Sequence, residues 1–414
     1  MSPRPLILLL VADHRATGTA LMAMRHARAL CGIGVNARII GQNGRSLERF
    51  CRAEALWQKH SLSLDRAGKP WAVARDVAEL RQLIRRLQPA AIIAYGTNEQ
   101  IIAGFAGAGQ RAAVIRYSNA AGFLASGAGP RQIARIGMHT MLHACGVDGL
   151  LAADATVAAR LPSWIHSGRA AWLPVGVDPA VFHPRAPGRD NWRTRLGLAT
   201  DDILCGMLAA YKPERGYSLF LRAFASIAST RPQVRAVLAG DGSTSIVAAF
   251  TALAAGLGIA DRVTFVSPDH DLPGFWAAVD IAFICHPGTG GGGSALLEGF
   301  ASGAAMIVGD QGPLRRLSAD GEYARVIPAP NHADFSFDPY PQGTPAEFAL
   351  THSLIELIDN QQARTEIAQI ARLAALRFTA RKMAITILSI INACARRRPQ
   401  TASNHPREVR NEFR

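Results

Sequence analysis

The sequence lacks paired cysteines and long apolar runs. Six cysteines are scattered singly through 414 residues, and no two of them form a C-x-x-C pair. This spacing indicates neither a zinc cage nor a disulfide framework, and it favours reduced thiols in a cytoplasmic protein. The longest apolar stretch near the start, Pro5 to Ala12, is about half the ~15–30 residues of a signal peptide. It is also too short to cross a bilayer, so it predicts a first buried strand.

Acidic residues are scarce relative to basic ones. The chain has 31 Asp and Glu against 45 Lys and Arg, a formal net charge of +14, and its pI is about 10.3. Residues 1–180 hold 21 of the basic and 10 of the acidic residues, a net of +11, which leaves +3 for the remainder. Such a field favours nucleic acid, an anionic membrane face or an acidic substrate as partner, unless it serves solubility alone.

A composition of 49% hydrophobic and 18% charged residues excludes a disordered or fibrous protein. Buried strands alternate with amphipathic helices in two runs, separated by a segment rich in proline and glycine from Pro174 to Gly197. One of these helices is predicted over Ser46–His60. The pattern predicts an α/β protein with two Rossmann-like, doubly wound parallel sheets. The predicted divisions are a first domain at 1–178, a linker at 179–199, a second domain at 200–376, and a C-terminal helix with a basic tail at 377–414.

The most informative segment is IAFICHPGTGGGGSALLEGFASG, at 281–303. A buried strand is followed by a loop with five glycines between Gly288 and Gly293, and a helix begins near Ser294. Glycines let a backbone approach a ligand closely, and a helix start offers free N–H groups, so a phosphate or sugar cradle is favoured over a mobile surface loop. Glu298, one turn into the helix, is suited to paired ribose hydroxyls, or else is a solvated helix glutamate.

The same glycines allow a second interpretation. Gly288, Gly290 and Gly293 satisfy G-x-G-x-x-G between a strand and a helix, and Asp310 follows about 20 residues later. That pattern is typical of dinucleotide binding, which makes an NAD(P)-dependent oxidoreductase the alternative. The motif lies late in the second run, however, whereas the dehydrogenase fold has it in the first strand–helix turn.

A basic loop follows the first strand of the second run. In GMLAAYKPERGYSLFLRAF, at 206–224, the loop presents Lys212 and Arg215 before Gly216 opens a helix. Two cations at a strand end can neutralise a diphosphate, although a solvated basic turn has the same composition.

These segments together resemble a retaining glycosyltransferase of the GT-B type, in the large family 4 (group 1) class. The resemblance extends over most of residues 1–395 and is carried by four segments: PVGVDPAVFHP at 174–184, YKPERGYSLFLRAF at 211–224, LAGDGS at 238–243, and the glycine-loop segment at 263–310. The family's fold is two Rossmann-like domains that face each other across a cleft. Its activity is sugar transfer from a nucleotide-diphosphate donor, with no separate cofactor and no metal.

The resemblance implies roles for individual residues. Lys212 and Arg215 would hold the diphosphate, and Glu298 would match the second glutamate of the family's E-x7-E motif and bind the ribose. Backbone N–H groups of the loop would bind sugar and phosphates; its residues are Gly290, Gly291, Gly292, Gly293 and Ser294. Gly18, after the first strand, would face the phosphates across the cleft. The first glutamate of E-x7-E is replaced here by Gly290, so a non-catalytic partner subunit that binds nucleotide sugars is a third hypothesis.

Two further expectations concern the first domain. A general base, if one acts, is expected at the strand ends: His14 beside the first glycine loop, or the segment Tyr117–Asn119, near where the family often has a histidine. Residues 45–86 carry ten Lys and Arg against five acids, with Trp57 and Trp71 among them. This pattern suits peripheral contact with the cytoplasmic face of an anionic inner membrane and a glycan or lipid-linked acceptor, as in lipopolysaccharide synthesis, and no nucleic-acid motif accompanies it.

Overall fold

The computed structural model describes residues 4–12, 18–64, 70–118, 146–153, 169–267, 271–285 and 293–396. Two six-stranded sheets, parallel throughout, form the body of the protein. Helices cover both faces of each sheet, because the inner strands, such as β1, β3, β10 and β11, are buried on both sides and need a helical layer above and below. The predicted fold class is therefore confirmed. Within the described ranges, every helix is too short or too polar to span a bilayer.

The first sheet has the strand order β2-β1-β3-β4-β5-β6. Its strands are β1 (Leu6–Leu10), β2 (Asn36–Ile40), β3 (Ala91–Ala94), β4 (Ala113–Ser118), β5 (Gly149–Ala152) and β6 (Ala170–Trp172). The helices that the structure describes between them are α1 (Thr19–Gly32), α2 (Ser46–Ala53), α3 (Pro70–Leu87) and α4 (Thr97–Gly107). The order reverses between β1 and β3, so this sheet opens a crevice beyond the carboxyl ends of those two strands.

The second sheet has the order β12-β11-β10-β7-β8-β9. Its strands are β7 (Ile203–Leu208), β8 (Val234–Ala239), β9 (Val263–Val266), β10 (Ile281–Ile284), β11 (Ala305–Gly309) and β12 (Arg325–Ile327). The helices in chain order are α5 (Arg189–Arg195), α6 (Tyr217–Ala228), α7 (Thr244–Gly256), α8 (Leu272–Ala278), α9 (Gly293–Ser302), α10 (Gly312–Leu317), α11 (Pro345–Asp359) and α12 (Gln361–Ala375).

The strand order of the second sheet is that of a dinucleotide-type Rossmann fold. Counted from β7 as the first strand, it reads 3-2-1-4-5-6 in reverse, so the chain changes direction between β7 and β10. Ligands of open α/β sheets bind beyond the carboxyl ends of the strands at such a switch point. The loops after β7 and β10 are the two loops that the sequence motifs single out.

One predicted helix is wrong in extent. The helix predicted over Ser46–His60 ends at Ala53. Ala55 then adopts a positive φ of 55°, and Trp57 pairs with Ile39 at the edge of the first sheet. The apolar spacing of this segment has the helical period, but pairing at a sheet edge determines the conformation of nearly half of it, from residue 54 onward. This pairing buries Trp57, which keeps 9% of its surface exposed.

The last helix, α13 (Ala380–Ala395), returns to the first sheet. Its side chains Met383, Ile387 and Ile391 share a core with α1 and the strands of that sheet. Just before it, Val177 N–H donates to Phe378 O at 2.8 Å and Ala380 N–H donates to Val177 O at 3.1 Å. The chain therefore crosses between the two sheets twice, and the two crossings are hydrogen-bonded to each other.

Candidate active site

Two buried tyrosines hold the loop after β7 in place through hydrogen bonds to neighbouring strands. Tyr211 Oη donates to Val266 O at 2.9 Å and to Leu238 O. Tyr217 Oη lies 2.7 Å from Ala209 O and 2.9 Å from the carbonyl oxygen that ends β8. Each phenol thus ties the loop to the ends of neighbouring strands, and burial raises the pKa of both well above its usual value. Because these two phenols are neutral and buried, they hold the short helical turn between them, Pro213–Arg215, in a rigid position. We call this turn the platform.

Gly216 places that platform against the end of β10. Its φ is +78°, in the left-handed region, and a Cβ there would lie 3.0 Å from Cys285 Cβ and 3.1 Å from Phe283 Cε1. Only glycine combines that backbone conformation with such close packing. The loop that carries Lys212 and Arg215 and the strand end that leads into the glycine loop are therefore in direct contact. Burial raises the pKa of the Cys285 thiol to about 12, so this neighbour adds no charge.

Arg215 is the most informative side chain of the platform. Its Nε and Nη1 atoms are buried and have no hydrogen-bond partner among the described residues. Burial lowers the pKa of its guanidinium, although the group stays cationic at neutral pH. Lys212, at the other end of the turn, is exposed. A buried cationic donor without a partner is costly to a fold, and such donors recur where a protein binds an anion.

The glycine-loop segment is described only in part. Gly290, Gly291 and Gly292 lie outside the described residues, whereas Gly293 and Ser294 form the first turn of α9. A Cβ on Gly293 would approach Leu317 Cδ1 at 3.2 Å. The start of α9 follows directly on the loop that leaves β10, so its free N–H groups belong to the switch-point crevice.

Glu298 has protein partners on both carboxylate oxygens. Trp276 Nε1 donates to Oε2 at 3.2 Å, and Arg25 Nη2 donates to Oε1 at 2.5 Å. The interpretation of Glu298 as a solvated helix glutamate is therefore wrong, since its side chain is only 5% exposed. Sequence reasoning missed Arg25, because nothing but its position on α1 marks it.

The first-domain residues are only partly described. Gly18, with a φ of +50°, precedes the first turn of α1, and among the described residues no atom beyond its chain neighbours lies within 4 Å of where its Cβ would be. His14 lies outside the described residues, and so does Asn119. Tyr117 is 1% exposed and packs edge-on against His26 at 5.0 Å between ring centroids. Tyr117 therefore does not line an open crevice.

The buried cluster around His26 was not expected. His26 Nδ1 lies 2.6 Å from Tyr95 Oη. Its Nε2 and the Tyr117 hydroxyl have no partner in the described part of the chain. Burial, together with the charge of Arg25, lowers the pKa of His26 to about 3, so the imidazole is neutral at physiological pH.

The dinucleotide interpretation rests on Asp310 and the glycine fingerprint. Arg315 Nη1 donates to Asp310 Oδ2 at 2.7 Å, and the same guanidinium also binds Asp320. An acidic residue meant for a ribose is thus engaged in an exposed ion pair. Gly288 and Gly290 of the fingerprint lie outside the described residues.

The basic segment at 45–86 is largely on the surface. Among the described residues of this segment, seven cations are exposed: Arg45, Arg49, Arg52, Lys59, Arg75, Arg85 and Arg86. Trp71 is 70% exposed, but Trp57 is buried. The expectation that both tryptophans join this face is therefore wrong for Trp57, which the first sheet covers.

Residues 188–337 match the family described as Glycosyl transferases group 1. This range contains the platform, the described part of the glycine-loop segment and Glu298. A D-inositol 3-phosphate glycosyltransferase of Stackebrandtia nassauensis is 28% identical over 246 residues, which are 57% of this chain and 52% of that protein. The lipopolysaccharide core biosynthesis mannosyltransferase LpcC of Rhizobium leguminosarum is 27% identical over 161 residues, 37% of this chain and 44% of LpcC. The matched residues thus span about half the length of each of these curated relatives.

The fold matches over nearly the whole chain. The crystal structure of Anabaena HepE with UDP and glucose superposes with a TM-score of 0.72 at 17% identity, covering 94% of this chain and 100% of HepE. The two parallel sheets have the GT-B fold, and residues 188–337, which match the group 1 glycosyl transferase family, lie within that fold. The resemblance to a group 1 glycosyltransferase of the GT-B type is therefore confirmed, whereas retention of configuration stays a prediction.

Proposed function

We propose that this protein is a glycosyltransferase that moves a sugar from a nucleotide-diphosphate donor to a glycan or lipid-linked acceptor. The observation that carries the proposal is Arg215: at the switch point of the second sheet, two of its buried guanidinium nitrogens have no partner among the described residues. The group 1 family match of the surrounding residues supports it. The UDP complex of HepE, which has the same fold, is a further support.

The chemistry follows from charge. When the bond between the anomeric carbon and the phosphate oxygen breaks, the electron pair stays on the nucleotide diphosphate and adds negative charge there. Arg215, Lys212 and the N–H groups at the start of α9 stabilise that charge as it develops. Because the platform is already rigid, little reorganisation is needed at the moment of reaction.

The acceptor hydroxyl forms the new bond to the anomeric carbon on the face that the phosphate leaves. The departing phosphate oxygen takes the hydroxyl proton, so configuration is retained and no separate cofactor or metal enters the balance. Glu298 receives the ribose hydroxyls, and Gly18 faces the donor phosphates from the first domain. These roles belong to the proposal.

The exposed cations of the basic segment suggest where the acceptor lies. Each cation engaged with an anionic leaflet contributes about 1 kcal/mol, and Trp71 is exposed beside them. An acceptor of the cell envelope, held at the cytoplasmic face of the inner membrane, fits this surface. The LpcC relative is a mannosyltransferase of lipopolysaccharide core biosynthesis, and the relative from Stackebrandtia nassauensis is a D-inositol 3-phosphate glycosyltransferase, a name that contains an anionic phosphate compound. Flotation with liposomes of anionic lipid tests the contact.

The donor site is tested by nucleotide binding to a set of variants. UDP, GDP and ADP are titrated into the wild type and into Lys212→Ala, Arg215→Ala and Glu298→Ala. Arg231→Ala is the matched control, because Arg231 pairs with Asp359 and precedes β8, at the opposite edge of the same sheet. We expect one nucleotide to bind, each site variant to weaken it and the control to leave it unchanged. Equal affinity in all variants would remove the proposed donor site.

Turnover distinguishes the enzyme from a non-catalytic subunit. The replacement of the first motif glutamate by Gly290 favours this second candidate, because it removes the carboxylate that would touch the donor sugar. Mass spectrometry of donor sugars incubated with envelope glycolipids separates the two. Nucleotide binding without any released diphosphate would favour the non-catalytic role.

A further inference from the structure

The ion pair between Arg25 and Glu298 joins the two domains across the cleft. Arg25 lies on α1, which packs on the first sheet, and Glu298 lies on α9 of the second sheet. Their side chains are separated by 273 positions in sequence and meet at 2.5 Å. Glu298 is the carboxylate that the proposed function assigns to the donor ribose. The same group therefore has a protein partner and a proposed ligand.

The two protein partners of Glu298 differ in how easily they can leave. Trp276 is fully buried and packs against Phe275 with ring centroids 5.3 Å apart, so it is fixed in place. The Arg25 side chain is 25% exposed and ends a long flexible stem. The carboxylate itself is nearly closed to solvent. Two ribose hydroxyls therefore gain full access to Glu298 only if Arg25 withdraws.

We propose that Arg25 competes with the donor ribose for Glu298 and so opposes nucleotide binding until it is displaced. The inference rests on the proposed function, because it needs a ribose at Glu298. When the nucleotide binds, Glu298 loses its charge-assisted hydrogen bond from Arg25 and gains two hydrogen bonds from ribose hydroxyls. Breaking the Arg25–Glu298 ion pair therefore lowers the net affinity for the ribose. The same exchange removes a contact that holds α1 against α9, which makes domain contact sensitive to the donor.

Isothermal titration of Arg25→Ala and Arg25→Gln tests this competition. The probe is whichever of UDP, GDP and ADP binds the wild type most tightly, together with its 2′,3′-dideoxy form. Arg28→Ala is the matched control on the same helix, because Arg28 pairs with Glu54 inside the first domain. We expect both Arg25 variants to bind the ribose form about fivefold more tightly than the wild type does, and the control to bind as the wild type does.

The dideoxy probe separates competition from other effects. It lacks the hydroxyls that displace Arg25, so we expect the gain in affinity from Arg25→Ala to disappear with it. An unchanged or weakened affinity for the ribose form in both Arg25 variants would overturn the inference, as would an equal gain for both probes. If the wild type binds none of the three nucleotides, the proposed function itself fails. Arg25→Gln keeps the proposal testable should the alanine variant unfold.

Discussion

Replacing Arg215 by methionine should stabilise the protein while it disables the donor site. Arg215→Met removes the charge and all the donors but keeps an unbranched side chain over the end of β10. In most proteins the loss of a half-buried arginine is destabilising, because its partners are left unpaired. Here the described structure offers no partner to Nε or Nη1. In the protein without nucleotide, the substitution therefore removes the desolvation cost of two unpaired donors and breaks no hydrogen bond made by these two atoms.

The magnitude follows from those two nitrogens. An unsatisfied buried donor costs about 1–3 kcal/mol. Arg215 as a whole is only partly buried, so we expect a net gain of about 1 kcal/mol, or roughly 1 °C in Tm for a chain of 414 residues. Loss of the charge-assisted hydrogen bonds to a diphosphate costs about 1.5–3 kcal/mol, which is roughly a 10- to 100-fold rise in Kd. Stability and affinity should therefore change in opposite directions.

Differential scanning fluorimetry with and without nucleotide measures both effects in one experiment. Without nucleotide, the wild type should have a lower Tm than Arg215→Met. When nucleotide is added, only the Tm of the wild type should rise. Arg215→Lys serves as control, since it keeps the charge but loses the fork of donors. A fall in Tm for Arg215→Met would refute the reasoning, because it would mean that the guanidinium is satisfied within the protein.

Three other substitutions test the surrounding structure. Gly216→Ala puts a side chain at φ +78° and against Cys285, so we expect a loss of about 1–2 kcal/mol in stability and weaker nucleotide binding; a variant that equals the wild type in melting and titration would contradict this. His26, with a pKa lowered to about 3 from 6.5, binds its proton only after unfolding between those values. Stability should then fall as the pH drops below 6.5, by about 2 kcal/mol at pH 5, and His26→Gln should lose less between pH 7 and pH 5 in urea titrations; equal losses would count against a buried neutral imidazole. Gly176→Ala would bring a Cβ within 2.7 Å of Ala380 Cα, and we expect about 1–3 kcal/mol of destabilisation, measured as a lower urea midpoint; an unchanged midpoint would show that the two crossings can separate freely.

The sheets and the platform could be predicted from the sequence because they depend on local patterns. Continuous apolar runs mark strands buried on both faces, and Gly216 marks a turn that needs a positive φ. Since the carboxyl ends of parallel strands share one edge of a sheet, the basic loop and the glycine loop could be expected together once β7 and β10 were recognised as strands.

The contacts of Glu298 could not be predicted in this way. Arg25 meets it through the packing of one domain on the other, and no spacing in the sequence encodes that meeting. His26 likewise reads as one more residue of an amphipathic helix, and its burial depends on where β3 and β4 place their tyrosines. The prediction that α2 extends to His60 failed for the same reason, because the pairing of Trp57 with the sheet edge outweighs the helical period.

The paired crossings near Val177 and Thr379 restrict how the two halves of the cleft can move. A single connecting strand would let one sheet swing and twist in any direction about the other. Two strands that are hydrogen-bonded side by side resist twisting, and they leave bending at their junction as the easy motion. Such bending changes the gap between the two crevices while keeping them in register. Because α13 completes the core of the first sheet, that sheet also depends on residues about two hundred positions further along the chain, so the first half is not a self-contained folding unit.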